Sequence, residues 1–313
     1  MTDSPRRADI LFVESELRHL LMPVESLEAL CRRSVQTFMP CRNDAAPLIA
    51  ALLKDSLIKQ IPTSLVRVGD GEGNALALTR EDVRPIYLDS FNAKFFSQVG
   101  MTLREDEARM LCGKIRNAIS AADFIGFRSF DAARPEIETI SNALENGQIG
   151  AAVGILYAQA FLQDELLGGR FSDKLITSMW IHLALIPHIG DIMEAAPAVI
   201  VITGRAQLEP HFEARLGKRL RSFIAVPPQS YRPSSDEDTH YRRVFPRVLD
   251  ALRADLQGTL VIVGAGFLGK LYCEAAKNSG AVALDFGSAF DVLAGMSTRP
   301  VHARLDINAL RWM

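Results

Sequence analysis

Two carboxylates separated by one glycine form the part of this sequence best suited to chemistry. Asp70 and Glu72 stand in the run Gly69-Asp70-Gly71-Glu72-Gly73. The glycines allow positive φ and a close approach of ligand to backbone, so the chain can turn sharply here. Two carboxylates on one turn suit Mg²⁺ or Mn²⁺, ions that commonly lie between a protein and phosphates. The pattern predicts a metal and phosphate site, and the alternative is a polar turn at the end of a strand.

The residues around this turn predict a strand before it and a helix after it. Residues 64–68 are mostly apolar and predict a buried strand that carries Arg67. Residues 75–78 are apolar again and predict a helix that opens on the glycine turn. The start of a helix presents unpaired N–H groups and favours anions. A phosphate could therefore be held there while Asp70 and Glu72 hold its metal ion.

A second glycine-rich loop lies near the end of the sequence. Gly264, Gly266 and Gly269 form a G-x-G-x-x-G pattern between a predicted strand and a predicted helix, and Asp285 ends the next predicted strand. This arrangement is typical of dinucleotide-binding sites, in which the acid binds ribose hydroxyls. Too little chain follows Gly269 for the rest of a doubly wound nicotinamide-binding domain. Phosphate binding and a close-packed structural turn both remain open for this loop.

Alternating apolar runs and helical patterns predict an α/β protein with a mainly parallel sheet flanked by helices. Further strands are predicted at 123–127, 174–179, 198–205, 222–226, 260–263 and 280–285, and helices at 46–59, 104–121, 135–146, 149–167, 208–216, 241–256 and 268–278. Residues 227–239 are polar and rich in proline and serine, which predicts a long loop.

Ligands of open α/β sheets bind outside the carboxyl ends of the strands. Besides the two carboxylates of the first turn and Asp285, this rule selects Arg128, Ser178, Thr203 and Arg205. Arg205 directly follows a strand and a glycine, and a guanidinium matches the oxygens of a diphosphate. The alternative for Arg205 is an ordinary surface arginine.

The first forty residues contain an apolar stripe at helical spacing. Leu17, Leu27 and Phe38 are among its members, and Pro23 should kink the helix or start a second one. We therefore expect a helical N-terminal extension at residues 1–43, followed by a catalytic domain at 44–313. The stripe packs either on that domain or on a second chain, which would give a homodimer.

The motifs resemble those of a known family. Arg67-Val68-Gly69-Asp70-Gly71-Glu72 resembles the R-x-G-D-G-E segment of bacterial GT-D-type glycosyltransferases, in which a D-x-E element works with a metal ion and a sugar nucleotide. Residues 263–270 and 283–288 resemble the C-terminal signature of that family. The resemblance spans about residues 65–291. It implies a GT-D-like, Rossmann-related fold and assigns catalysis and metal binding to Asp70 and Glu72.

Donor binding is expected at Arg67, Gly69, Gly71, Arg205, Gly264, Gly266, Gly269 and Asp285. The resemblance implies transfer of a sugar from a nucleotide diphosphate sugar, with uridine as the base, to a glycan, lipid-glycan or protein acceptor. Mn²⁺ or Mg²⁺ would assist the reaction. Two alternatives stay open: an NAD(P)-dependent oxidoreductase that uses the second glycine loop, and a non-catalytic nucleotide-binding module. No residue pattern identifies the general base.

Composition narrows the classes of partner. Lys plus Arg number 35 and Asp plus Glu number 37, for a net charge of −2, so no nucleic-acid partner is expected. The longest apolar stretch, from Ile149 to Leu162, is shorter than the ~20 residues that span a bilayer, which leaves only peripheral membrane contact. Four scattered cysteines without C-x-x-C pairs predict reduced thiols and a cytoplasmic location.

Overall fold

The fold was obtained as a computed structural model, which describes residues 7–81, 84–128, 130, 136–229 and 234–312. Over these residues, eight strands form one sheet: β1 (Thr37–Met39), β2 (Thr63–Val68), β3 (Phe124–Phe127), β4 (Leu175–Ser178), β5 (Val199–Thr203), β6 (Leu220–Ala225), β7 (Leu260–Gly264) and β8 (Val282–Asp285). Their order is β1-β4-β3-β2-β8-β7-β5-β6, all strands are parallel, and helices flank the sheet. The predicted α/β fold class is confirmed.

The contacts divide the chain into two compact units. Unit 1 contains residues 1–41, 67–97 and 101–179, and unit 2 contains residues 42–66, 98–100 and 180–313. The boundary between them falls inside β2, after Val66. The predicted division into an extension and a catalytic domain stays a prediction.

Helices make up most of unit 1. They are α1 (Arg7–Leu20), α2 (Val24–Ser34), α4 (Asp70–Ala77), α5 (Pro85–Val99, whose last two residues belong to unit 2), α6 (Glu105–Ala121), α7 (Glu136–Glu145) and α8 (Ile149–Leu167). α8 is apolar along almost its whole length, and most of its residues are buried. A helix that is apolar on all sides must be covered by its neighbours, and α1, α2, α4 and α7 pack against it.

Unit 2 has the alternation of strand and helix that the sequence predicts. Its helices are α3 (Arg42–Lys59), α9 (Ile181–Ala184), α10 (Ile189–Ala195), α11 (Glu209–Leu216), α12 (Phe245–Ala251), α13 (Leu268–Asn278), α14 (Ala289–Leu293) and α15 (Ile307–Leu310). The Val-Ile-Val-Ile-Thr sequence of β5 is buried throughout, because β5 pairs with β6 on one side and with β7 on the other. In β8, Asp285 is in register with Val263 of β7.

The N-terminal stripe is largely covered within unit 1. Val13, Leu27 and Leu30 are buried, and α1 and α2 both contact α8. Gln159 of α8 donates a hydrogen bond to the main-chain carbonyl of Met22, between α1 and α2, and Gln163 donates to the carbonyl of Leu20 at the end of α1. The first of the two predicted arrangements, packing within the chain, is therefore observed for these residues, and the homodimer stays a prediction.

Several predicted boundaries are wrong. The chain is non-helical around Pro23, as predicted, but helix α2 ends at Ser34 and Phe38 lies in β1. The predicted helix 241–256 is instead a π-helical turn at His240–Val244 followed by α12. Helix α5 was not predicted at all. Pro135, the predicted start of α7, and residues 230–233 of the predicted loop lie outside the described residues.

No helix among the described residues is long and apolar enough to cross a membrane.

The glycines of the first motif do not form a turn with positive φ. α4 begins at Asp70 itself, so Gly71 and Gly73 are helical, and neither is among the described glycines with positive φ. Their neighbour Gly69 has an ordinary extended φ of −109°. At Gly73 the absence of a side chain allows two helices to approach each other closely. A Cβ there would lie 1.6 Å from the carbonyl oxygen of Gly154, because the backbones of α4 and α8 touch at these two residues.

We predict that Gly73→Ala lowers the free energy of unfolding by about 3 kcal/mol or more, because the new methyl group must push α4 away from α8. Gly113→Ala is the matched control. A Cβ at Gly113 meets nothing within 4 Å, and alanine favours the interior of α6 by about 0.5–1 kcal/mol. Urea unfolding of both variants measures the difference. Equal stability of the two variants would contradict this account of the glycine contact.

Candidate functional site

The start of α4 carries both carboxylates of the first motif, in unit 1. Asp70 is its first residue and Glu72 its third. Glu72 is buried, and its Oε2 accepts a hydrogen bond of 2.9 Å from the backbone N–H of Gly69. A glutamate at the third position commonly reaches back to the residue before the helix in this way. Glu72 therefore holds the chain in the conformation that starts α4.

Asp70 makes an ion pair that the sequence did not predict. Its Oδ2 lies 2.7 Å from Nζ of Lys94 on α5, and about one third of each side chain is exposed. Burial alone would raise the pKa of Asp70, but the positive charges of Lys94 and Arg128 outweigh burial and hold that pKa below its ordinary value. Asp70 is therefore an ionised carboxylate that solvent can reach.

A second ion pair in unit 1 follows β3. Arg128 Nε lies 3.4 Å from Oε2 of Glu136, the first residue of α7, and Glu136 is only 1% exposed. Burial raises the pKa of Glu136; Arg128 opposes this shift and the negative charge of Asp70 adds to it. Among the described residues, Glu136 Oε1 has no hydrogen-bond partner. Asp70, Lys94, Arg128 and Glu136 are called the unit 1 charge cluster below.

The other predicted residues of the first motif surround this start of α4. Arg67 is half-buried on β2, and Gly71 is buried in the first turn of α4. A Cβ on Gly69 would lie 3.1 Å from the terminal methyl group of Met179, so this position has little room for a side chain.

The second glycine loop, in unit 2, is occupied by the protein's own side chains. Gly266 has a φ of +57°, which favours glycine, and a Cβ there would lie 2.2 Å from Oε1 of Gln98. The same oxygen accepts the N–H of Phe267 at 3.0 Å. A Cβ on Gly264 would lie 2.5 Å from the ring of Phe290. These contacts are those of the close-packed structural turn, one of the two alternatives for this loop.

The remaining predicted residues of unit 2 lie in ion pairs or in close packing. Asp285 Oδ2 lies 3.1 Å from Nζ of Lys270, and both side chains are 3% exposed. Arg205 Nε lies 2.6 Å from Oδ1 of Asp291. A Cβ on Gly269 would lie 3.3 Å from a methyl group of Val263. Asp285 is thus a buried carboxylate with a buried counter-ion, unlike an acid that binds ribose hydroxyls from an open cleft.

Ser288 of unit 2 lies between two histidines that the sequence did not connect. Its Oγ is 3.1 Å from Nε2 of His182 and 3.2 Å from Nε2 of His302. Both rings are completely buried, and burial is the largest influence on His302, whose pKa is lowered. The hydroxyl can donate to one ring and accept from the other, which fixes the orientation of all three side chains.

A shallow groove of about 370 Å³ in unit 1 contains none of the predicted residues; it is lined by Leu78, Thr79, Arg109, Gly113, Arg116 and Asn117. Its two arginines already have acidic partners. Arg109 binds Glu105 at 3.1 Å, and Arg116 lies 3.6 Å from Glu165. Both arginines of this groove are therefore paired with acids of the protein.

Among the described ranges, no three histidine, cysteine, aspartate or glutamate side chains form a group that could hold a metal ion. An ion at Asp70 and Glu72 would therefore need oxygen ligands from a phosphate or from water, which is the usual coordination of Mg²⁺.

The fold and the charge cluster together define an α/β protein with a parallel sheet and an ionised carboxylate at the start of a helix. Residues 46–166, less than half of the chain, match the family model described as a GT-D fold-like domain. The match contains the first motif and the whole unit 1 charge cluster. It supports the predicted resemblance to the GT-D fold family. No curated protein and no solved structure matched the chain.

Lys94 and Glu136 are the main residues that sequence reasoning missed. Lys94 lies far along the chain from Asp70, and no spacing connects them. Arg128 was found by the strand-end rule, because it follows β3 directly. Glu136 had no comparable signal, since one acid in the first turn of a helix is ordinary.

His240, next to the predicted long loop, is a buried histidine of unit 2. Its Nε2 lies 2.9 Å from the hydroxyl of Tyr272, and burial lowers the pKa of His240 to about 4. The unfolded chain takes up a proton near pH 6.5, whereas the folded chain does so only near pH 4. The free energy of unfolding that the neutral His240 contributes is therefore fully present above pH 6.5 and is lost as the pH drops from 6.5 to 4.

We predict that His240→Gln loses this part of the pH dependence, which amounts to about 3 kcal/mol between pH 6.5 and 4, because the amide cannot take up a proton. Urea unfolding at a series of pH values measures it. His19→Gln, at an exposed position of α1, is the control and should keep the full dependence of the wild type. A full dependence in His240→Gln would show that His240 is not buried in its neutral form.

Proposed function

We propose that this protein transfers a sugar from a nucleotide diphosphate sugar, with uridine as the base, to a hydroxyl of a glycan, lipid-glycan or protein acceptor. One observation carries the proposal. Within the stretch that matches the GT-D fold-like domain, Asp70 is an ionised and accessible carboxylate that starts a helix and lies near two cations. The uridine and the acceptor classes come from the resemblance of the motifs. We also propose a cytoplasmic location, which the four scattered cysteines without C-x-x-C pairs favour.

The residues at the start of α4 fit a divalent ion. Carboxylate oxygens are the donors that Mg²⁺ and Mn²⁺ prefer, and the lowered pKa keeps Asp70 charged at neutral pH. Glu72 adds a second carboxylate two residues further along, although one of its oxygens holds the N–H of Gly69. In our proposal Asp70 and Glu72 hold the ion, which would neutralise charge on the diphosphate and make it a better leaving group.

The chain's own residues have three tasks in this reaction. Asp70 would bind the divalent ion through its negative charge, and Glu72 keeps the helix start rigid, so that the Asp70 carboxylate is preorganised. Lys94 and Arg128 place positive charge where the phosphates would lie. Met179 leaves little room for a side chain at Gly69. Arg67 and Gly71 belong to the same motif and are included in the proposed donor site.

The glycine loop and Arg205 of unit 2 are proposed donor-binding residues with weaker support, because they already have partners within the protein. Gln98 holds the N–H of Phe267, Lys270 pairs with Asp285, and Asp291 pairs with Arg205. The same contacts disfavour the alternative of an NAD(P)-dependent oxidoreductase, which would need the loop and Asp285 for its cofactor.

We predict that a uridine diphosphate sugar with Mn²⁺ raises the melting temperature of the wild type. At a hundredfold excess of ligand over Kd, the added free energy of unfolding is about 3 kcal/mol. Asp70→Asn should melt normally without ligand and lose this gain. Glu72→Gln should lose donor binding and also cost about 1 kcal/mol without ligand, because the helix start is weakened. Thermal melting with a panel of nucleotide sugars, followed by turnover assays, gives the measurement.

Asp106→Asn is the matched control, since Asp106 is an exposed acid in the first turn of α6. It should keep the full response to donor. A gain in melting temperature with NADH, and none with any nucleotide sugar, would replace the transferase by the oxidoreductase. Binding of nucleotide sugar without transfer to any acceptor would instead identify a non-catalytic binding module.

A further inference from the structure

The contact between Lys94 and Asp70 is the shortest ion pair of the unit 1 charge cluster. Lys94 Nζ lies 2.7 Å from Asp70 Oδ2, and the two residues belong to different helices, α5 and α4. Among the described residues, Asp70 is the carboxylate that Lys94 contacts. Arg128 is bound to Glu136 instead. In the ligand-free protein, Lys94 is therefore the direct counter-ion of Asp70.

The carboxylate of Asp70 cannot stay in contact with the ammonium group of Lys94 when it also binds a divalent ion. The ion would contact an oxygen of Asp70 directly, and an ammonium group in contact with the same carboxylate would be repelled by it. Lys94 has a flexible four-carbon stem, and about one third of its side chain is exposed. The ammonium group can therefore move a few ångströms without unfolding its helix.

We propose that Lys94 and the divalent ion compete for Asp70, and that Lys94 moves to the diphosphate when ion and donor bind together. This inference rests on the proposed function. It makes the binding of ion and nucleotide cooperative, because the ion must displace Lys94, and the phosphate offers the displaced ammonium group a new partner. By linkage, each ligand then strengthens the binding of the other by the same factor.

Titration of the protein with Mn²⁺ alone, followed by the paramagnetic resonance signal of free Mn²⁺, tests the competition without any measurement of activity. Lys94→Met removes the charge and keeps most of the side chain's bulk. We expect Lys94→Met to bind Mn²⁺ about tenfold more tightly than the wild type when no nucleotide is present. Lys114→Met, which removes an exposed lysine from α6, should bind Mn²⁺ as the wild type does. Asp70→Asn should lose Mn²⁺ binding with either residue at position 94.

The same titration in the presence of uridine diphosphate tests the second half of the proposal. The nucleotide should strengthen Mn²⁺ binding about tenfold in the wild type and much less in Lys94→Met, because the variant has no ammonium group to move. Lys94→Gln, a polar substitution, serves as a second variant if Lys94→Met folds poorly, and it should show the same two changes.

Unchanged or weaker Mn²⁺ binding by both Lys94 variants would overturn the proposal and leave Lys94 as a structural partner of Asp70. A failure of wild type and variants alike to bind Mn²⁺ would overturn it too. In that case, binding of uridine diphosphate in the presence of a chelator shows separately whether the proposed function survives. Nucleotide binding without metal would preserve a donor site in which Lys94 and Arg128 supply the charge.

Discussion

The backbone contact between α4 and α8 is the constraint on which the rest of unit 1 depends. Gly73 and Gly154 lie so close that neither position has space for a Cβ. The carbonyl oxygen of Asp70 would lie 2.0 Å from a Cβ on Gly154, and Asn74 donates a hydrogen bond to the same carbonyl. The backbone at Asp70 is therefore held by the packing of α4 on α8. A carboxylate on such a rigid support needs little reorganisation when a ligand binds.

This rigid packing is combined with charges that are not fully neutralised. Burial of a carboxylate such as Glu136 is unfavourable unless a cation compensates for it, and Arg128 does so from the end of β3. Asp70 and Lys94 are more exposed, so their pairing costs less and can be exchanged for other partners. The unit 1 charge cluster thus contains one ion pair with a buried carboxylate and another that solvent and ligands can reach. The accessible pair is the one on the motif that the sequence identified first.

The fold could be predicted to a large extent because strands and amphipathic helices leave local patterns. β5 is apolar up to Thr203, the residue before Gly204, β7 is an apolar run that ends at Gly264, and α13 ends as its pattern predicts. Other elements depend on contacts that no local pattern records. Phe38 continues the apolar spacing of α2, yet it lies in β1 because Thr37–Met39 pair with β4. α4 starts at Asp70 because Glu72 binds the N–H of Gly69 and because α8 covers the glycines.

The candidate site, too, could be predicted only where its residues form a local sequence pattern. Asp70 and Glu72 were found because two acids and three glycines in five residues are unusual, whereas Lys94 lies on a helix without any such signal. The two glycine motifs also looked alike in the sequence and differ in the structure. Glycine shows that something approaches the backbone closely, but not whether it is a ligand or the protein itself.

At Gly73 the close neighbour is another helix, and at Gly264 and Gly266 it is the side chains of Phe290 and Gln98. The two motifs therefore differ in how exposed their charged residues are, and the glycines do not distinguish them. In unit 2, Asp285 and Lys270 are both buried and form an ion pair with each other. In unit 1, the side chains of Asp70 and Lys94 are each about one third exposed, and in our proposal a diphosphate and its metal ion compete for both of them. This difference in accessibility is the physical reason why our proposal assigns the phosphates of a donor to the first motif and not to the second.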